Sequence, residues 1–250
     1  MFSKKGVIII KNIIEINKDK AFKIKNSFND YPFLSGTFAN VYLDGDTCYK
    51  LYKKEPYLKD KNCNILFNST DVFNNILYFS NNKFNGISNI EKVYLLENKI
   101  FMYEMENLSY MMNISDIGIN FNKKNYLYED VLLKDFFLSW DKAYELAEEL
   151  SNNNIEMNDV KEENAFIYNG DFKVCDIDFY KKGNIDSKWK NYFEINNLFI
   201  NFLERYFFSN NYEDNVSDEI LKTKKYKSYV IKKLSSYNAK SLKEVSLNMK

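Results

Sequence analysis

Apolar residues change their spacing near residue 106, and that switch limits the folds open to this chain. Up to that point they gather in short runs separated by turn-forming residues; beyond it they recur at helical intervals. Short apolar segments at Val7–Ile10, Ile13–Ile14 and Ala21–Ile24 read as strands. Phe38–Leu43 and Thr47–Tyr52 read as a strand pair around Asp44-Gly45-Asp46, because Asp-Gly between apolar runs supplies the positive φ of a tight hairpin turn. A second pair, Lys92–Leu96 and Lys99–Tyr103, turns at Glu97-Asn98, and a helix is expected near Asp71–Phe79 within the polar, Asn-rich stretch 55–86. In the second half, Phe136, Trp140, Ala143, Ala147 and Leu150 share one helical face, as do Ile195, Phe199, Phe202 and Tyr206 in a helix near 190–208. Residues 217–236 read as a basic helix, and Ser241-Leu-Lys-Glu244 as a capping box that opens a last short helix. Between these helices lies a hairpin, Ala165–Tyr168 and Phe172–Cys175, turned by Asn169-Gly170. The expected class is α+β, with a β-rich N-terminal lobe over residues 1–106 and a helical C-terminal lobe over 107–250.

Composition narrows the chemistry. The chain has no histidine. Ser-His-Asp triads, Cys-His pairs and histidine-containing metal sites are therefore excluded, and acid–base work falls to Asp, Glu, Lys or Tyr. Carboxylates suit a hard cation such as Mg²⁺, so chemistry built on that ion survives. The 35 Lys and Arg balance the 35 Asp and Glu, which gives no global attraction to nucleic acid or an anionic membrane. Cys48, Cys63 and Cys175 lie far apart and form no CxxC, which points to a reducing compartment. The start, Met1 to Lys11, has a basic flank but too short an apolar run for a signal peptide, and no later stretch is long enough to span a bilayer. A cytoplasmic protein with no membrane partner is expected.

The stretch Asn158 to Asp178 carries the densest chemical signal: Asn158-Asp159-Val160-Lys161-Glu162-Glu163-Asn164, the hairpin, then Val174-Cys175-Asp176-Ile177-Asp178. Phosphoryl transfer needs a carboxylate to orient the attacking hydroxyl, oxygen ligands for Mg²⁺ and a cation for the transferring group. Asp159 can supply the first, Asn164 and Asp176 the second, and Lys161 the third. This segment resembles the protein-kinase catalytic loop, Asp-x-Lys-x-x-Asn, followed by the strand pair that presents the metal-binding aspartate of the Asp-Phe-Gly motif. The resemblance spans roughly residues 30–208.

It implies a two-lobed kinase-like fold that uses ATP with Mg²⁺ or Mn²⁺. Phe33-Leu-Ser-Gly36-Thr-Phe-Ala-Asn-Val41 resembles the Gly-rich loop over the phosphates, with Gly36 kept and Leu34 and Ala39 in place of other glycines. Lys50 takes the place of the phosphate-pairing lysine. Its acidic partner is open among Asp71, Glu55 and Asp60. Tyr103 stands at the back of the adenine pocket, the backbones of Glu104 and Glu106 contact the base, and Met105 packs on it. Glu194 is a candidate acidic anchor for the catalytic-loop backbone. The departures matter. Asn158 and Met157 replace the family's arginine and histidine, Asp178 replaces its glycine and adds a carboxylate near the metal, and the stretch Phe179–Trp189 lacks an Ala-Pro-Glu end. Control by phosphorylation of that stretch is not expected. Lys161 points to Ser/Thr protein hydroxyls as substrate. The alternatives are a small-molecule phosphotransferase of the same fold and a pseudokinase acting as a binding module. Lys222, Lys224, Lys225, Lys227, Lys232 and Lys233 form a basic patch that reads as a solvated face, so nucleic acid is not an expected partner.

Overall fold

The computed structural model describes residues 12–28, 31–59, 62–117, 130–182, 187–206 and 218–248. Val7–Ile10, Asp60, Ser217 and the middle of Phe179–Trp189 lie outside them. The class is α+β, and the chain divides into two compact units, Met1–Lys83 with Asn89–Asn107, and Phe84–Ser88 with Leu108–Lys250.

The first unit is built on a mixed six-stranded sheet. Its strands are β1 (Ile13–Ile16), β2 (Leu34–Ser35), β3 (Ala39–Asp44), β4 (Thr47–Tyr52), β7 (Ile90–Leu96) and β8 (Lys99–Glu106), in the order β1-β7-β8-β4-β3-β2. Strand β1 runs parallel to β7, and the remaining pairs are antiparallel. Both expected hairpins form. Gly45 turns β3 into β4 at φ 56°, and Glu97 and Asn98 turn β7 into β8 at φ 51° and 62°, as a two-residue turn with positive φ at both positions requires. Strand β8 runs to Glu106.

Two differences from the sequence reading have physical causes. Ala21–Ile24 is not a strand but part of helix α1 (Lys18–Ser27), started by Asn17, whose side chain accepts from the Lys20 N–H at 2.9 Å. Of this helix only Ala21 is buried, so it shows no apolar stripe to read. The stretch before helix α2 (Ser69–Asn81) holds a small hairpin, β5 (Leu58–Lys59) with β6 (Ile65–Phe67), whose strands are too short for a periodic signal. Helix α2 packs Val72, Ile76 and Phe79 into the core, where Val93 of β7 is fully buried.

The second unit centres on two long helices, α3 (Leu133–Asn152) and α4 (Ser187–Tyr206). Their apolar faces meet through stacked rings, with Trp140 and Phe199 4.3 Å apart and Phe136 edge-on to Phe199. Against α3 lies the hairpin of β11 (Ala165–Tyr168) and β12 (Asp171–Val174), extended by β9 (Met112–Asn113) in the order β12-β11-β9. Its turn requires Gly170, because φ is +86° and a Cβ there would stand 2.4 Å from Leu138 Cδ2. A two-stranded ribbon of β10 (Ile155–Glu156) and β13 (Lys181–Lys182) closes the loop between them.

Residues 217–236 are not one helix. A helical turn α5 (Asp218–Leu221) and helix α6 (Lys225–Ser235) are separated where the buried Asn196 amide donates to the carbonyls of Leu221 and Thr223 at 2.5 and 3.0 Å. Helix α7 (Leu242–Asn248) starts at Ser241, whose Oγ accepts from the Glu244 N–H. The Glu244 carboxylate reaches one residue further back than a capping box requires, to the Lys240 N–H at 2.6 Å. Among the described residues, no helix is long and apolar enough to cross a membrane.

Candidate functional site

In the second unit, Asp159 and Asp176 stand at the two ends of one closed loop. The chain leaves β10, passes Asp159, runs through a 3₁₀ turn (Glu162–Asn164) and the β11–β12 hairpin, passes Asp176 and returns through β13. Both aspartates adopt the left-handed conformation, at φ 60° and 61°. That region costs a residue with a Cβ about 1 kcal/mol or more, and in functional proteins such strain gathers at sites where side-chain direction matters.

The hairpin base brings Asn164 and Asp176 to neighbouring rungs, because the Cys175 N–H donates to the Asn164 carbonyl at 2.9 Å. Tyr180 is the common neighbour of the acids. It is 1 % exposed, and its hydroxyl is pushed well above the usual phenol range by burial first, then by the charges of Glu194, Cys175, Asp176 and Asp159. Lys161 turns back onto Asp159, Nζ to Oδ1 2.6 Å, in a pair exposed at the lysine and partly buried at the aspartate. Asp178 is buried whereas Asp176 is partly exposed, so the two carboxylates face different surroundings.

Helix α4 holds the strand that leads into Asp159. Lys190 pairs with the Glu156 carboxylate at 2.7 Å. Asn191, fully buried, accepts from the Met157 N–H at 2.7 Å and donates to the Ile155 carbonyl at 2.8 Å and Ser151 Oγ at 3.0 Å. One turn further, Glu194 accepts from the Val160 N–H, immediately after Asp159. Its carboxyl is pushed up to about 7, by burial first and the Asp159 charge second, with the Val160 bond opposing both.

The folded Glu194 therefore binds its proton more tightly than the unfolded one. Stability falls as pH rises from about 4.5 through about 7, by about 3 kcal/mol in full. Urea denaturation at about pH 5 and about pH 8 measures this. The Glu194→Gln variant, whose amide oxygen still accepts from Val160, loses that slope. An unchanged slope in the variant would assign the titration elsewhere.

The first unit collects three of the residues singled out above. Val41, Lys50 and Tyr103 pair directly across β3, β4 and β8, so they form one row on one face of the sheet. Lys50 is 7 % exposed, with Nζ 5.6 Å from the Tyr52 ring centre and 5.7 Å from that of Tyr103. On the same face Cys48 is pushed up to about 11 by burial, opposed by the Lys50 charge, which keeps it a thiol.

Gly36 lies between β2 and β3, its N–H donating to the Ala39 carbonyl. A Cβ there would meet only that carbonyl oxygen, at 3.5 Å, so the local fold does not require glycine. Lys53 fastens the turn by donating to the Gly36 carbonyl at 2.5 Å and Ser35 Oγ at 3.1 Å.

Other expected positions are engaged differently. The Asp71 carboxylate accepts from the Asn68 N–H at 2.9 Å and completes the capping box of α2. Glu55 pairs with Lys99 and accepts from Ser69. Glu104 lies between two paired strands, opposite Tyr49 on β4 and Lys92 on β7, and the Glu106 N–H donates to the Asn89 carbonyl at 3.0 Å. Their backbones are engaged in the sheet because β8 runs to Glu106. The basic patch is largely self-neutralised: Lys222 pairs with Glu219, Lys224 with Glu148 and Lys227 with Asp141.

Asn191, Tyr180 and Lys53 escaped the sequence reading. Asn191 left one trace, as a polar residue four before Ile195 on an otherwise apolar stripe. Among the described residues, no group of three or more His, Cys, Asp or Glu forms a metal cage. The oxygens of Asn164 and Asp176 are hard donors that fit Mg²⁺ when ligand or water oxygens complete its shell. No protein-family model matches the chain, and no curated protein sequence does.

Proposed function

We propose that this protein is an ATP- and Mg²⁺-dependent phosphotransferase of protein-kinase-like fold, acting on a hydroxyl and most naturally on Ser or Thr of a protein. The observation that carries this reading is the paired left-handed geometry of Asp159 and Asp176, anchored at the two ends of one loop. Asp159 orients the attacking hydroxyl and takes its proton. Lys161, beside it, contributes positive charge for the transferring phosphoryl group. Asn164 and Asp176 would hold Mg²⁺, whose charge offsets that of the phosphates. Within the first unit, Lys50 is a buried cation of the kind that binds phosphate oxygens. Glu194 and Asn191 position the Asp159 backbone without touching the reactants.

A binding module of the same fold without turnover is the second reading. Asp178, a buried carboxylate where the resembled family has glycine, favours it. Calorimetry with ATP, with and without Mg²⁺, followed by transfer to a mixed protein substrate, separates the two. Binding that strengthens with Mg²⁺ and loses that gain in Asp176→Asn, together with transfer, supports the enzyme. Binding without transfer supports the module, and absence of nucleotide binding sinks both.

Gly36 gives a sharper test. Because the local fold tolerates a Cβ there, Gly36→Ala leaves folding stability within about 0.5 kcal/mol. Its backbone approach to phosphates is blocked, so ATP affinity drops by about tenfold. A variant that binds ATP normally removes the Gly36 turn from the site.

A further inference from the structure

The sheet of the first unit has a second face. Tyr42, Tyr49 and Glu104 pair directly across β3, β4 and β8, one residue out of phase with Val41, Lys50 and Tyr103, so they point to the opposite side. There they floor a cavity of about 620 Å³, walled by the end of α1 and by Phe28 and Tyr94, with Asp44 at its edge. Phe28 stacks on Tyr42 with ring centres 4.4 Å apart and tilts over Tyr49 at 5.3 Å.

The charged residues lining this cavity are Asp44 and Glu104, both acidic. The Glu104 carboxylate accepts from Lys92 at 2.7 Å on one oxygen and from the Tyr94 hydroxyl on the other. Burial first, then this bond, push the Tyr94 hydroxyl up. The Glu104 and Asp44 charges also raise Tyr49, after burial, with the Lys92 charge opposing them.

We propose that this aromatic, acidic cavity binds a small organic cation carrying a quaternary ammonium head. The volume lies within the ~300–1,000 Å³ of small-molecule sites, so a bare inorganic ion does not fill it. Ring faces and fixed carboxylates attract a cation. Lys92 and Tyr94 already donate to the Glu104 oxygens, so the remaining attraction is diffuse. That suits a cation that has no N–H to donate. An ammonium or guanidinium group must instead compete with Lys92.

This site is independent of the proposed phosphotransfer, because it uses the face of the sheet away from Lys50. The test is calorimetry of the full chain with choline and with its neutral isostere 3,3-dimethylbutan-1-ol, in parent, Tyr42→Leu and Asp44→Asn. Choline binds at least about tenfold more tightly than the isostere. Tyr42→Leu, which keeps apolar volume but removes the ring, abolishes that preference, and Asp44→Asn at the edge weakens choline severalfold with the melting temperature of the parent. If Tyr42→Leu fails to fold, the parent and Asp44→Asn still decide. Equal binding of the two probes, or no saturable binding of either, overturns the proposal. So does binding of a trimethyl-lysine peptide where choline fails, which would make the occupant a protein tail.

Discussion

Replacing Asp159 with asparagine lowers ATP-dependent phosphate transfer by about 10²- to 10⁴-fold, the range for losing a positioned proton acceptor. Asparagine is the right probe because it matches the aspartate in size and accepts the left-handed φ of 60° that position 159 imposes. Solvent reaches the Lys161 end of the lost ion pair and screens it, so stability stays within about 1 kcal/mol of the parent. A second readout excludes a merely structural effect. The Asp159 charge helps to raise the Glu194 carboxyl, so in the variant Glu194 titrates nearer its ordinary range, as carboxyl NMR measures. Transfer at the parental rate, with Glu194 shifted as expected, would place the chemistry elsewhere while leaving the description of the loop intact.

What could be read from the residues was whatever local chemistry determines. Asp44-Gly45 and Glu97-Asn98 announced hairpins because Gly and Asn reach positive φ readily, and the first hairpin puts Lys50 in register with Val41. The spacing of Asp159, Asn164 and Asp176 was legible for the same reason, since Asn169-Gly170 has one compact way to turn. What escaped depends on contacts distant in sequence. Helix α1 buries one side chain and so leaves no periodic mark. Asp71 caps α2, a role that a carboxylate three residues after an asparagine takes readily. The left-handed φ of Asp159 and Asp176 has no signature in residue type beyond aspartate's modest tolerance for it.

Asn191→Leu should be the most damaging single change in the second unit. Leucine is close in volume, so the variant opens no cavity and the effect reports hydrogen bonding. It leaves the Met157 N–H and the Ile155 carbonyl without the partners they have at 2.7 and 2.8 Å, in a region where Asn191 is fully buried. Each orphaned group costs about 1–3 kcal/mol, so unfolding in urea should show a loss of about 2–5 kcal/mol. Function should fall further than stability. Met157 lies two residues before Asp159, and with the Asn191 bond gone Lys190 and Glu194 are left to hold the strained backbone there. In cold buffer, where the variant remains folded, its transfer rate should drop at least about tenfold while ATP binding without Mg²⁺ is kept, because Lys50 and its row belong to the first unit. A variant as stable as the parent would show that the clamp is redundant. One that is destabilised yet fully active when folded would show that the left-handed turn at Asp159 holds itself, independent of α4.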